Sequence, residues 1–151
     1  MTEYTIDTAT ADDFVEIWPQ LRPVDREECG IFGYNSGADF APLTSMCTDC
    51  LIARHNNGDP IAVFGRYNHR NMQVYWFLAT PKINEYWRLV TRMGKAYINN
   101  TITDQLCARP VAFVWEGHKD SIRWAGLLGF RHRIGQLPGR GGRILILEKR
   151  R

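Results

Sequence analysis

The chain has 151 residues, 44% of them hydrophobic and 23% charged, the proportions of one globular domain and not of a disordered segment. Its longest apolar runs are about five to six residues, which excludes a membrane-spanning helix. The net charge of +3 conceals two opposed ends: residues 1–40 hold nine acids against Arg22 and Arg26, and residues 121–151 hold eight bases against Glu148.

Taken in chain order, Thr2–Thr8 alternates well enough for a short strand. Thr10 precedes Ala11-Asp12-Asp13, an N-cap followed by acids where a helix dipole favours them. Phe14, Ile17 and Trp18 give that helix its apolar stripe, and Pro19 ends it. Pro23 suits the first turn of a second helix over 23–28. Residues 33–44 form a loop rich in Gly, Asn, Ser and Pro, with a short helix predicted over 39–46. A meander follows. Residues 48–55 and 60–68 are strands joined by Asn56-Asn57-Gly58-Asp59, whose residues tolerate positive φ.

The third meander strand, 72–80, is apolar nearly throughout, as expected of a strand covered on both faces. After Pro81 a long helix is predicted over 83–99, with Ile83, Tyr86, Trp87, Val90, Met93 (or Gly94) and Tyr97 at helical spacing. Of these, Trp87 is expected in the core, as is Trp76. Residues 110–115 form a buried strand and 119–128 a helix ended by Gly129. A final strand pair, 130–136 and 143–149, flanks the turn at 138–142. There is no internal repeat and no linker, so one domain is expected over 1–151.

Four cysteines offer little metal chemistry. Cys47 and Cys50 form a lone C-x-x-C, Cys29 and Cys107 are distant, and His55 could complete only a partial zinc site. Cys50 is better explained as a small apolar residue entering a strand. Gly139-Arg140-Gly141-Gly142-Arg143 lacks the Lys-Ser/Thr and the following helix of a phosphate-binding loop, so a hairpin is expected. The basic C-terminal end suits a polyanion, but no nucleic-acid-binding motif accompanies it. With no basic and apolar leader at Met1-Thr2-Glu3-Tyr4, a cytoplasmic protein without membrane attachment is expected.

The order β-α-α-β-β-β-α-β-α-β-β, the Asn-Asn-Gly-Asp-Pro hairpin and the stretch Trp115 to Phe130, with Ser121-Ile122-Arg123-Trp124 before Leu128-Gly129-Phe130, together resemble the GNAT superfamily of N-acetyltransferases. The resemblance implies a single α+β domain with a mixed sheet of about seven strands and four helices. More narrowly, Leu21-Arg22-Pro23-x-Asp25-Arg26-Glu27-Glu28 and Trp76-Phe77-Leu78-Ala79-Thr80 resemble small GNAT-like proteins of tailed phages, grouped with the internal virion assembly protein. That narrower likeness implies phage or host protein partners and the host cytoplasm.

The family binds acetyl-CoA along its fourth strand and at a glycine-rich turn opening the next helix, whose free N–H groups hold the pyrophosphate. By position, the resemblance assigns this role to Phe77, Leu78, Ala79, Thr80, Lys82, Arg88, His118 and Ser121. The chain departs from the pattern at two places. Its turn, Thr80 to Arg88, has no glycine, and Ala125 stands where many members place an acidic-proton-donating Tyr. Glu116 and His118 remain as candidate catalytic groups. The expected function is therefore a GNAT-like protein with a degenerate acyl-CoA site, acting through protein partners. An active acetyl-CoA-dependent N-acetyltransferase and a nucleic-acid-binding module are the alternatives.

Overall fold

The computed structural model describes residues 4–102 and 108–150. Cys107 and the first residues of the predicted opening strand lie outside them. Seven strands form one sheet in the order β1-β2-β3-β4-β5-β7-β6: β1 Tyr4–Thr8, β2 Asp49–His55, β3 Pro60–His69, β4 Met72–Ala79, β5 Arg109–Trp115, β6 Phe130–Gly139 and β7 Gly142–Lys149. Only β4 and β5 run parallel; every other neighbouring pair is antiparallel. The helices are α1 Ala11–Ile17, α2 Pro23–Phe32, α3 Ala41–Met46, α4 Ile83–Ile102 and α5 Lys119–Leu127. The predicted order holds, with α3 standing as a fifth helix where four were expected.

Local chemistry explains most boundaries. Thr10 and Asp13 close a reciprocal capping box at α1, satisfying two amides that a helix start would otherwise leave open. Pro19 sits in a 3-10 turn, 18–20, that lets the chain turn into α2. α2 outruns its prediction and ends at Gly33, whose φ of +98° supplies the left-handed cap. Gly129, at φ +104°, does the same after α5 and starts β6, as its Gly-Phe pattern predicts.

The strand period of two sorts side chains onto two faces. Trp76 and Leu78 face α1, α2 and α3, in a cluster with Phe14, Ile17, Leu21, Phe40 and Val63. Tyr75, Phe77 and Ala79 face the other side, where α4 and α5 pack. Trp87 corrects the sequence reading: it is 53% exposed. Tyr86, one position earlier, takes the inward place on α4, which rotates Trp87 about 100° away from the sheet.

One position in the meander tolerates no side chain. A Cβ on Gly65 would fall 2.1 Å from the Asp49 carbonyl oxygen and 3.0 Å from the Trp76 ring. Gly65→Ala is therefore expected to cost about 1–3 kcal/mol through forced backbone movement. The check is a urea midpoint; an unchanged midpoint would show that β2 and β3 can separate freely there.

Candidate functional site

β4 and β5 are paired only from Met72↔Arg109 to Tyr75↔Ala112. Beyond that point β4 continues to Ala79 and β5 to Trp115, and the two strands part. Thr80 N–H donates to Ile61 O, so alternation along the antiparallel ladder turns Leu78 and Trp76 toward β3. It turns the peptide groups of Phe77 and Ala79 into the gap. Buried peptide groups demand partners.

For Ala79 those partners come from α2. Its N–H donates to Asp25 Oδ2 at 3.1 Å, and its carbonyl accepts from Arg22 N–H at 2.9 Å. Arg22 also forks onto Asp25 through Nε at 2.7 Å and Nη2 at 3.1 Å. One turn further along α2, Glu28 Oε2 accepts from Trp115 N–H at 2.9 Å. Arg22, Asp25 and Glu28 are three residues apart, so they share one helix face. That face bridges the parted strands.

His118 completes the cluster. It is 1% exposed and caps α5, its Nδ1 accepting from Ser121 N–H at 3.2 Å. A backbone N–H can only donate, so Nδ1 carries no proton and Nε2 does. Nε2–H then donates to Asp25 Oδ1 at 2.9 Å. Burial pushes the Asp25 carboxyl up, yet hydrogen bonds from His118, Arg22 and Ala79 N–H outweigh it and hold the group below the usual carboxylate range. Glu28 goes the other way. Burial pushes its carboxyl up to about 7, and the Trp115 N–H offsets this only in part.

Ligand atoms of Asp25, Glu28 and His118 lie within 4.8 Å of one another, a set that could in principle hold a cation. Arg22 already supplies the positive charge there, and both Asp25 oxygens carry two hydrogen bonds each. Cys50 and His55 stand five residues apart on β2, about 16 Å in an extended strand, too far to share one metal ion, and Cys50 is buried in the apolar core as expected.

The residues assigned by position are spread around this gap. Phe77 meets Trp124 of α5 across the mouth, ring centroids 4.5 Å apart, and Trp124 Nε1 donates to Thr91 of α4. Leu78 faces β3. Thr80 Oγ1 donates to Pro60 O and Ile61 O and accepts from Lys82 N–H. Lys82 pairs with Asp59 at 3.5 Å, and the Arg88 guanidinium lies 5.4 Å from the Trp87 ring centre. Glu116 stands apart from the cluster, half-buried and paired with Arg143 at 2.9 Å. His118 is buried, not a solvated loop residue, because its ring serves as helix cap and carboxylate partner together.

Comparison with solved structures identifies the fold. The aminoglycoside acetyltransferase AAC(6')-Ib, in complex with paromomycin and acetyl-CoA, superposes with a TM-score of 0.70 at 18% identity, over 99% of this chain and 94% of that one. The same enzyme with ribostamycin and coenzyme A gives 0.71 at 16%, with the same coverage. A GNAT-family acetyltransferase from Bacillus anthracis gives 0.69 at 10%, over 97% and 94%. This chain has the GNAT fold. At these identities the likeness is one of fold, and function must be argued from the site. No family model and no curated protein sequence matches the chain.

Within the GNAT fold, the parted strands are where the cofactor's pantetheine arm is expected, and the start of α4 is where its pyrophosphate is expected. The residues present fit neither role. Ala79's peptide group is consumed by α2. At the start of α4, Ile83 N–H bonds Thr80 O, Asn84 N–H bonds Pro81 O and Glu85 N–H bonds Lys82 O. The amides that would receive a phosphate are thus spent on a tight 3-10 turn.

An apolar cavity of about 290 Å³ remains between the sheet and α4–α5, and Glu28 is the one acid among its lining residues, which also include Ser121 and several tyrosines. Sequence reasoning missed Arg22, Asp25 and Glu28 as a site. The i, i+3, i+6 spacing of Arg22, Asp25 and Glu28 around Pro23 was the signal available.

Proposed function

We propose that this is a GNAT-fold protein whose acyl-CoA groove is closed by its own side chains, and that it acts by binding protein partners. The observation that carries this reading is the capture of both Ala79 peptide groups by Arg22 and Asp25 at the place where β4 and β5 separate. The internally bonded first turn of α4 supports it independently. The likeness of residues 21–28 and 76–80 to phage proteins supports placing those partners in virion assembly or among host proteins.

Titration calorimetry with acetyl-CoA and with coenzyme A is expected to show no binding at millimolar ligand. A Kd below about 100 μM would overturn the closed-groove reading. Affinity purification of the tagged protein from infected cells should recover virion or host proteins; a clean absence of both argues against the partner role.

One observation favours a second reading, acetyl-CoA-dependent transfer to an amine. Glu28 is a buried carboxyl lining the cavity and poised near neutral pH, the property a general base needs. Tight cofactor binding together with acetyl transfer would establish it.

A further inference from the structure

The end of the sheet opposite the parted strands carries a feature that the groove does not explain. Pairing of Val111 with Glu148 and of Trp115 with Ile144 places the end of β7 beside the start of β5, away from the Ala79–Trp115 gap. There a depression of about 340 Å³ is walled by three elements: α4 through Lys95 and Asn99, the start of β6 through Arg131, and the end of β7 through Lys149 and Arg150. Arg150 is partly neutralised by Glu148 at 3.3 Å. Among the described residues, Lys95, Arg131 and Lys149 have no acidic partner.

The depression is shaped for these charges. Lys149 Nζ lies 2.6 Å from where a Cβ on Gly129 would stand, so the lysine side chain lies directly against the Gly129 turn. Arg131 is steadied by one bond from its Nε to Gly126 O at 3.0 Å, which leaves its other N–H groups as donors. Two residues along β6, the outermost strand, Arg133 is exposed and continues the row. Arg131 is the extra residue of a bulge between Phe130 and His132, so the two guanidiniums follow one another along the outer strand without a fixed repeat. Charges on an outer strand also deter sheet-to-sheet pairing, but Lys95 and Asn99 on α4 have no such task.

We propose that this depression binds the phosphodiester backbone of a nucleic acid, without reading its sequence. A row of like charges fed from three elements matches a repeating anion better than a single one, and besides these charges the lining holds Asn99, His132 and the apolar Leu127 and Leu128, with no acid. The proposal does not depend on whether the acyl-CoA groove is closed.

The test is fluorescence anisotropy of a labelled 20-base-pair DNA duplex and a 20-nucleotide RNA with the intact protein. Three phosphate contacts predict binding that weakens about 40-fold between 50 and 200 mM salt. Lys95→Glu with Arg131→Glu should weaken binding more than tenfold at 50 mM and flatten the salt dependence. Lys119→Glu with Arg140→Glu, equal in charge change but at the opposite, Trp115–Ile144 end of the sheet, should leave both within twofold. Circular dichroism confirms that each variant is folded, and Lys95→Gln with Arg131→Gln serves as a milder substitute. Absence of binding at 50 mM, equal losses in the two variants, or binding only to anionic phosphatidylserine vesicles would each overturn the proposal.

Discussion

Replacing Asp25 with alanine is expected to remove about 3–5 kcal/mol of stability, a large share of the roughly 5–15 kcal/mol that holds a domain together. The carboxylate is fully buried, and its loss strands three donors at once: Arg22, the Ala79 N–H and His118 Nε2–H. Each stranded group bears its desolvation penalty without compensation. Asp25→Asn keeps some acceptors but cannot serve the fork and the imidazole together, so an intermediate loss is expected. Urea unfolding followed by circular dichroism gives the comparison. A loss under about 1 kcal/mol for Asp25→Ala would mean that α2 does not hold the parted strands.

Glu28→Gln should have the opposite character: a gain that grows with pH. In the folded chain the Glu28 carboxyl is pushed up to about 7 from an ordinary value of 4.5. The folded state therefore binds this proton more tightly than the unfolded state does. Its stabilising contribution is complete below about pH 4.5 and is lost as pH rises through 7. The shift corresponds to about 3 kcal/mol between those limits. Glutamine resembles the protonated acid, keeps an acceptor for Trp115 N–H and does not titrate. The difference in unfolding free energy between the two proteins should open across pH 5–8, while titrations common to both cancel. Asp25 leans the other way, supporting stability above the ordinary carboxylate value and losing it as pH falls through its lowered one, so it does not mimic the effect. Parallel pH profiles would remove the argument.

Much of the frame was legible because it rests on local rules. Asn56-Asn57-Gly58-Asp59 turns where its residues permit positive φ, Pro81 closes β4, and Gly129-Phe130 joins α5 to β6. The site was less legible for a physical reason. Asp25 and Glu28 belong to an acid-rich stretch, and acids on a helix that follows a proline are ordinarily solvated. Their burial depends on β4 and β5 separating, which no local spacing reveals. His118 was singled out, but its role as cap of α5 and partner of Asp25 joins residues 93 positions apart. Trp87 was misplaced because helical spacing allows either of two adjacent aromatics to face inward, and packing chose Tyr86.

The β6–β7 hairpin tip rests on the end of α2. Arg140 N–H donates to Ile31 O at 3.0 Å, and a Cβ on Gly139 would strike the Ile31 side chain at 2.5 Å. The helix that fills the gap is thus seated by segments made last: Trp115, His118 and then residues 139–140. α2 can seat on β4 as soon as Ala79 is made, but its contacts with Trp115, His118 and residues 139–140 come only from the later half of the chain. Closure of the gap is then among the latest events of folding, governed by contacts that are distant in sequence and slow to find one another.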